Sequence, residues 1–421
     1  MDPYRVKAEI DLDALQHNLR VIRQRAGPGG RVMLVVKADA YGHGARAIAN
    51  HALRCGIESL GVGTSAEALE LRHDGVRAPI LVLGTIIDDE ARDCLRHRVQ
   101  IALHSSDRRA QIQELARTLG VRAQVHLNVD TGMGRLGVLP GRALDLLREI
   151  RGSSHLELCG LMTHVSAAEG ALADSTREQA RSFEGVLSAA RSEHLLRGSI
   201  HMANSAALFT GLRPLYDTVR PGISAYGILN PDLPGSGDLK PVLSLRTQIV
   251  FLKDVPAGTP IGYSSTWRAE RATRIATLPV GYHDGVPWRL SNCGEVIVRG
   301  RRAPIVGRVT MDYITVDVGH IPGAAVGDTA TLIGTDRNET ITVAEVAEKA
   351  GTIAYEITCS VGRRVQRLYT GGENLELAAQ RAPDPRNTPS AYGWTASTPP
   401  SAQPPARPAA PRESGREVRG S

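Results

Sequence analysis

A chain of 421 residues exceeds one small domain, and with 42% hydrophobic but only 4% aromatic residues it predicts two folded units with aliphatic and alanine cores, followed by a tail. Its formal charge of +6 invites a nucleic-acid partner, yet residues 381–421 carry six Arg against three acids and the remaining charge forms no basic run, so none is expected. Five scattered cysteines without a CxxC pair, no signal-peptide core in residues 1–15 and no apolar run near the ~18 residues that span a bilayer argue against a disulfide framework and a membrane segment, and predict a soluble, cytoplasmic chain.

Between residues 10 and 235 short apolar runs alternate with helical periodicity. Strands are predicted at 32–37, 59–63, 79–84, 100–104, 122–130, 156–164, 199–205 and 218–223. Helices are predicted at 45–55, 65–73, 88–98, 107–119, 142–150 and 175–193, with a shorter segment at 206–212. Eight β/α alternations over roughly 225 residues are what a (β/α)8 TIM-like barrel requires; strand count alone leaves a doubly wound open sheet as the competitor. After the Pro- and Gly-rich segment 231–237 the pattern turns strand-like from Val242 to Tyr369, with one helix at Val343–Lys349, which predicts a second, mostly β domain. The expected bounds are 9–237 for the barrel, 238–372 for the β-rich domain, joined by a strand from residues 1–8, and 373–421 for a Pro/Arg-rich tail. Nine prolines beyond Leu377 predict disorder there.

Arg outnumbers Lys 45 to five, so each lysine can be weighed singly. Lys7, Lys240, Lys253 and Lys349 lie near a terminus, a linker, a turn and a charged helix end, whereas Lys37 ends the buried-type run VMLVVK. The C-terminal rim of a barrel strand is where such folds keep their chemistry. An amine there can condense with a carbonyl, which an always-protonated guanidinium cannot do. By itself such a lysine is better read as a strand end reaching solvent, and only the neighbouring motifs turn the reading toward chemistry.

The sequence VVKADAYGHG closely resembles the cofactor-lysine motif of bacterial alanine racemases, enzymes dependent on pyridoxal 5'-phosphate. The resemblance continues through DTGMGRLG (130–137), MTH (162–164), MANSA (202–206), VRPGISAYG (219–227), IGYSSTW (261–267), LPVGYHDG (278–285), VGRVTMDYITVDVG (306–319) and YEITCSVGRRV (355–365), spanning about residues 4–370. It implies a homodimer with composite active sites that interconverts L- and D-alanine by a two-base mechanism, supplying D-alanine for peptidoglycan. Lys37 then corresponds to the cofactor-bearing lysine and first base, and Tyr263 to the second base, on the opposite face and contributed by the partner subunit. Removing a proton from one face of Cα and returning one to the other calls for two such groups. A free tyrosine titrates near ~10, so a basic role needs cationic or hydrogen-bonding neighbours, for which His164 and Arg135 match.

Arg220, in VRPG, corresponds to the arginine facing the pyridine nitrogen; a guanidinium only donates and so keeps that nitrogen unprotonated. The resemblance assigns the cofactor phosphate to Ser205, the Gly222 and Ile223 amides and the Tyr41 and Tyr355 hydroxyls. It assigns the substrate carboxylate to Arg135 and the Met311 backbone, with Tyr282 and Asp312 supporting. GMGRLG (132–137) also fits a dinucleotide pattern, but it follows the fifth strand rather than a domain's first; its glycines are read as a tight turn that aims Arg135 inward. No His or Cys cluster has zinc spacing, so no metal is expected.

The chain departs from the family at Asn128, where many members carry a carbamylated lysine that orients the arginine. A bound chloride or a direct amide contact is expected to substitute. Thr310 and Tyr313 replace the frequent Cys and Gln, and Tyr313 is expected to narrow the entrance. The alternatives are a broad-specificity or serine racemase, or an amino-acid decarboxylase, on the same fold. A non-catalytic cofactor-carrying protein generally lacks the β domain, and nucleic-acid binding would have to rest on the Arg-rich tail.

Overall fold

The computed structural model describes residues 4–166 and 173–372; the expected disordered tail, 373–421, lies outside the described residues. Strand β1 (Val6–Asp11) comes first, then eight strands that close into a parallel barrel: β2 (Arg31–Val35), β3 (Ser59–Val62), β4 (Ile80–Val82), β5 (Gln100–Leu103), β6 (Ala123–Asn128), β7 (Leu156–Met162), β8 (Ser199–Asn204) and β9 (Thr218–Arg220). Each predicted barrel strand is present, shortened mainly at its C-terminal end, and closure by β9 against β2 excludes the open-sheet alternative. Parallel barrel strands are covered on both faces, which is why they read as unbroken apolar runs such as ILV. Met33, Leu81, Ala102 and Met162 from four strands form one buried cluster, so the barrel is filled rather than hollow.

The helix Leu12–Ala26, unassigned by the sequence reading, precedes the barrel. Asp11 caps it by accepting from the Ala14 N–H at 2.9 Å, and Gly27 ends it at φ 83°. Thr64 and Glu67 make a reciprocal capping box at the start of the helix Ser65–His73. The glutamate matters again below.

In the β-rich part β1 is central. It pairs antiparallel with β10 (Leu243–Gln248) and parallel with Gln366–Thr370, tying the chain's start to the far end of the C-terminal domain. It runs to Asp11 rather than stopping at residue 8. A three-stranded sheet of Phe251–Val255, Thr273–Leu278 and Ile314–Asp317 adjoins a short hairpin, Pro260–Ile261 with Trp267–Arg268. Val255, Ile261, Ala269, Ile275 and Val306 form the buried cluster under that hairpin. Besides the predicted helix, here Val343–Ala350, a second one, Ala354–Cys359, carries Tyr355.

Candidate active site

Strand β2 stops at Val35, two residues before Lys37, and the chain then makes an unusual turn. Ala38, Asp39, Ala40 and Tyr41 all adopt left-handed helical geometry, φ 52–53°. For L-residues this costs roughly 1–2 kcal/mol each, so other contacts must hold it. Glu67 is the main one: Oε1 accepts the Ala38 N–H at 2.6 Å, while Oε2 accepts those of Gly63 at 2.7 Å and Thr64 at 3.2 Å. Asp39 Oδ1 accepts the Ala45 N–H at 2.7 Å, and Arg367 Nε donates to the Gly42 carbonyl at 3.2 Å. The turn sets Lys37 at the cavity mouth and sends Tyr41 inward, where its ring lies 5.2 Å from Tyr226 and 6.0 Å from Tyr355.

The cavity, about 190 Å³, lies at the C-terminal rim of the barrel strands. Lys37, Tyr41, Arg135, His164, Ser205, Arg220, Gly222, Ile223 and Tyr355 all line it, so nine of the expected site residues converge. Its lining holds three cationic side chains, Lys37, Arg135 and Arg220, and no carboxylate. That polarity suits an anion. On one wall Ser205 Oγ accepts from Gly222 N–H at 2.9 Å and Ser224 N–H at 3.3 Å. A Cβ at residue 222 would come 2.4 Å from the Tyr41 hydroxyl oxygen, so only glycine lets the two walls approach so closely.

On the other wall Arg220 is buried. Its guanidinium donates to Thr163 O at 2.8 Å, Met202 O at 3.1 Å, His201 Nδ1 at 2.8 Å and His164 Nδ1 at 3.3 Å. None of the ion pairs among the described residues includes it; burial pulls it down to about 10. His164 is pushed down to about 3 by burial first and then by Arg220, Arg135 and Lys37, so it is a neutral imidazole.

The Arg135 loop folds back on β6 through Asp130 N–H to Val138 O at 2.8 Å and Val138 N–H to Asn128 O at 2.9 Å. Asp130 Oδ1 accepts from Gly132 and Gly134, both at 3.0 Å, and Gly132 and Gly137 take φ of 141° and 128°, as the tight-turn reading of GMGRLG required. The Asn128 amide nitrogen donates to Leu136 O at 2.7 Å and faces His104 Nδ1 at 3.4 Å, while its Oδ1 has no partner among the described residues.

Tyr263, Tyr282, Met311 and Asp312 do not line this cavity. They lie on the β-rich domain, and Tyr263 stands on the short hairpin with 68% of its surface exposed. Three of them share a second cluster: Tyr282 N–H donates to Thr310 O at 2.9 Å, and Arg364 pairs with Asp312 at 2.7 Å while gripping buried Asp284 at 2.6 and 2.9 Å. The sequence reading missed Arg364, Asp284, Glu67 and His201. The single acid at the seventh position of LPVGYHDG was the one available signal for Asp284. Among the described residues no group of three His, Cys, Asp or Glu could hold a metal ion, and no helix is long and apolar enough to cross a membrane.

A rim lysine on a closed barrel, a cation-lined cavity and an appended β domain fit an amino-acid racemase or a decarboxylase of the same fold, and comparison with known proteins selects the amino-acid racemase, an isomerase. The models described as "Alanine racemase, N-terminal domain" and "Alanine racemase, C-terminal domain" match residues 10–230 and 242–369. An alanine racemase of Halothermothrix orenii is 42% identical over 363 residues, 86% of this chain and 96% of that protein. The crystal structure of alanine racemase from Streptomyces lavendulae superposes with a TM-score of 0.82 at 34% identity, covering 88% of this chain and 98% of that one. The Bartonella henselae alanine racemase with covalently bound pyridoxal phosphate gives 0.78 at 30% identity, covering 87% and 100%. The chain belongs to the alanine racemase family.

Proposed function

We propose that this chain interconverts L- and D-alanine with pyridoxal 5'-phosphate bound at Lys37, in the cytoplasm, supplying D-alanine for peptidoglycan. The observation that carries the reading is the cavity itself: a lysine at the start of a strained turn, joined by two arginines and no carboxylate. The residues fit the cofactor. Ser205, the Gly222–Ile223 backbone and the Tyr41 and Tyr355 hydroxyls all line the cavity where a phosphate would be held, and buried Arg220 offers a fixed donor at the far wall. When bound, pyridoxal phosphate supplies the electron sink that makes the substrate Cα–H acidic.

Lys37 carries the cofactor and holds or releases a proton on one face of Cα. The partner subunit's Tyr263 does the same on the other face. Its exposure, and its separation from the cavity of its own chain, support a homodimer with composite sites. Met311 and Asp312, both held by Arg364, belong to that shared side together with Tyr282, whose N–H donates to Thr310 O. Arg135 receives the substrate carboxylate. Neutral His164 accepts from Arg220 and, lacking a positive charge, leaves the proton-transfer work to Lys37 and Tyr263. Of the two expectations for Asn128, the direct amide contact is favoured: its amide nitrogen is spent on Leu136 O, and the free Oδ1 is an acceptor, which attracts a guanidinium and repels chloride. The domain division proposed is 238 onward for the β-rich part with β1 added to it, since β1 pairs on both edges with that domain's strands.

The test is chiral chromatography of alanine incubated with the purified protein, alongside serine, lysine and arginine, with borohydride used to fix the cofactor for peptide mapping. Interconversion of alanine with label on Lys37 is expected. A colourless protein that takes up no pyridoxal phosphate refutes the reading, and faster turnover of serine or a basic amino acid reassigns its substrate.

A further inference from the structure

Behind Arg220 a line of buried polar side chains runs through the barrel. Arg220 Nη1 lies 2.8 Å from His201 Nδ1, His201 Nε2 lies 2.9 Å from His126 Nδ1, and His126 Nε2 lies 3.1 Å from Gln100 Oε1. The line crosses from the end of β9 through β8 and β6 to the first residue of β5, from the cavity rim to the opposite edge of the barrel. Both rings are buried, and they meet nearly edge-on with centroids 5.1 Å apart.

The direction of every link follows from the first. A guanidinium has no acceptor, so His201 must present a lone pair at Nδ1 and carry its proton on Nε2. His126 must then accept at Nδ1 and carry its proton on Nε2, which Gln100 Oε1 receives. Protonating His201 twice would set an imidazolium against a guanidinium in a dry core. Burial, then Arg220, His126 and Arg31, hold His201 far below the usual range; burial and Arg220 hold His126 down to about 3.

The barrel gives up packing to house these rings. His126 sits opposite Gly160 of β7, where a Cβ would come 2.3 Å from its Nδ1, and opposite Ala102 of β5. Two imidazoles in a barrel interior, one of them set between a glycine and an alanine, are a poor source of stability, because apolar side chains of similar volume would fill it as well.

We propose that His201, His126 and Gln100 form a one-way hydrogen-bond relay that fixes the Arg220 guanidinium toward the cavity, making both histidines positioning residues for racemisation. This rests on the role given to Arg220 in the proposed function. An imidazole acceptor grips the guanidinium without neutralising it, as a carboxylate would. Arg220 thereby keeps its full charge and a fixed pose, and the tautomer order propagates that constraint to the barrel's far side.

The test uses full-length protein labelled with 15N-histidine, with and without pyridoxal phosphate, and long-range 1H–15N spectra from pH 6 to 9. Both rings are expected as neutral Nε2–H tautomers that do not titrate; an Nδ1–H tautomer or an imidazolium at either position overturns the relay. Arg220→Leu removes the donor that sets the order, and is expected to let His201 lose its single tautomer or titrate. Persistence of the wild-type pattern there overturns the proposal.

In kinetics, His201→Leu is expected to lower kcat roughly 10- to 100-fold with KM nearly unchanged, and His201→Asn, whose Oδ1 restores an acceptor for Arg220, to recover much of it. Wild-type kcat in a folded His201→Leu protein overturns the positioning role. If that variant does not fold, the tautomer spectra of the unaltered protein still decide. Failure of the underlying reading looks different: no pyridoxal phosphate uptake, or wild-type activity in Arg220→Ala, whatever the tautomers are.

Discussion

Gly222→Ala tests the cradle at its narrowest point. The added Cβ would lie 2.4 Å from the Tyr41 hydroxyl oxygen and 3.0 Å from its Cζ, against an ordinary contact of 3.4 Å or more. Residue 222 has φ −120°, so the left-handed region is not what demands glycine there. Tyr41 cannot swing aside cheaply, because it is buried and packed between Tyr226, itself fully buried, and Tyr355. Forcing about one ångström of displacement on such a wall costs about 1–3 kcal/mol, or about 5- to 150-fold in a binding equilibrium. Titrating the apoprotein with pyridoxal phosphate and following absorbance gives that ratio. In a Tyr41→Phe background the 2.4 Å contact is gone, so the alanine penalty should shrink by about 0.5–2 kcal/mol in a double-mutant cycle. Unchanged affinity in Gly222→Ala, or an equal loss in both backgrounds, would refute the claim that the Tyr41 hydroxyl and Gly222 define the cradle together.

If each site draws Lys37 from one chain and Tyr263 from the other, inactive Lys37→Ala and Tyr263→Phe proteins mixed in equal amounts under subunit exchange should regain about half of wild-type activity per mixed dimer, from its one intact site, and about a quarter for the fully exchanged mixture; no recovery with demonstrated exchange rules out composite sites. Three rings, buried His43 near 4, buried His126 near 3 and half-buried His164 near 3, stay neutral while unfolded imidazoles protonate below ~6.5, so folding stability is complete above that pH and declines as pH falls toward 4, by at most about 1.4 kcal/mol per pH unit per ring. Urea midpoints from pH 7 to 4.5 measure this, with His43→Phe flattening the slope, and a flat wild-type profile contradicts it. Arg364→Leu strips buried Asp284 of its bidentate partner and frees Asp312; allowing for the arginine's exposure, it should cost about 1–3 kcal/mol and raise KM for alanine, measured by thermal unfolding and progress curves. Glu67→Ala removes three backbone contacts beside the left-handed turn and should weaken cofactor retention about tenfold in dialysis against buffer, while full retention would show that the turn stands without it.

The barrel was legible because its strands are buried on both faces. VMLV, ILV and IAL are apolar whatever their register, and the helices between them repeat at a different period. The helix Leu12–Ala26 escaped because its face is mixed: Gln16, His17 and Asn18 interrupt the apolar spacing, and Asn18 is buried only because its side chain bonds Ala225 O, Lys240 O and the Lys240 N–H across the fold. The assignment of β1 to the β-rich sheet depends on partners more than 200 residues away, which local pattern cannot reveal. Strand ends were overrun for a related reason. Lys37 follows an apolar run without a breaker, and nothing local announces four consecutive residues at positive φ; the compensation comes from Glu67, Asp39 and Arg367.

The site divides along the same line. Residues that line the cavity, such as Lys37, Arg220 and Ser205, sit in compact motifs, and a motif survives as a string. Residues that hold those in place do so through register. His201 reaches Arg220 because β8 and β9 pair with a shift between His201 and Asn204, and His126 reaches His201 because Gly160 leaves a gap on the intervening strand, itself beside a register shift after Val125. In the linear chain each reads as a lone polar residue within an apolar strand, the usual mark of a satisfied core histidine. The same consideration explains why Arg220 can be buried without a counter-ion. Its four acceptors come from two strands, His201 and Met202 on β8 and Thr163 and His164 just past the end of β7, and the side-by-side pairing of β7, β8 and β9 brings two carbonyls and two imidazole lone pairs around one guanidinium, leaving its charge available to whatever occupies the cavity.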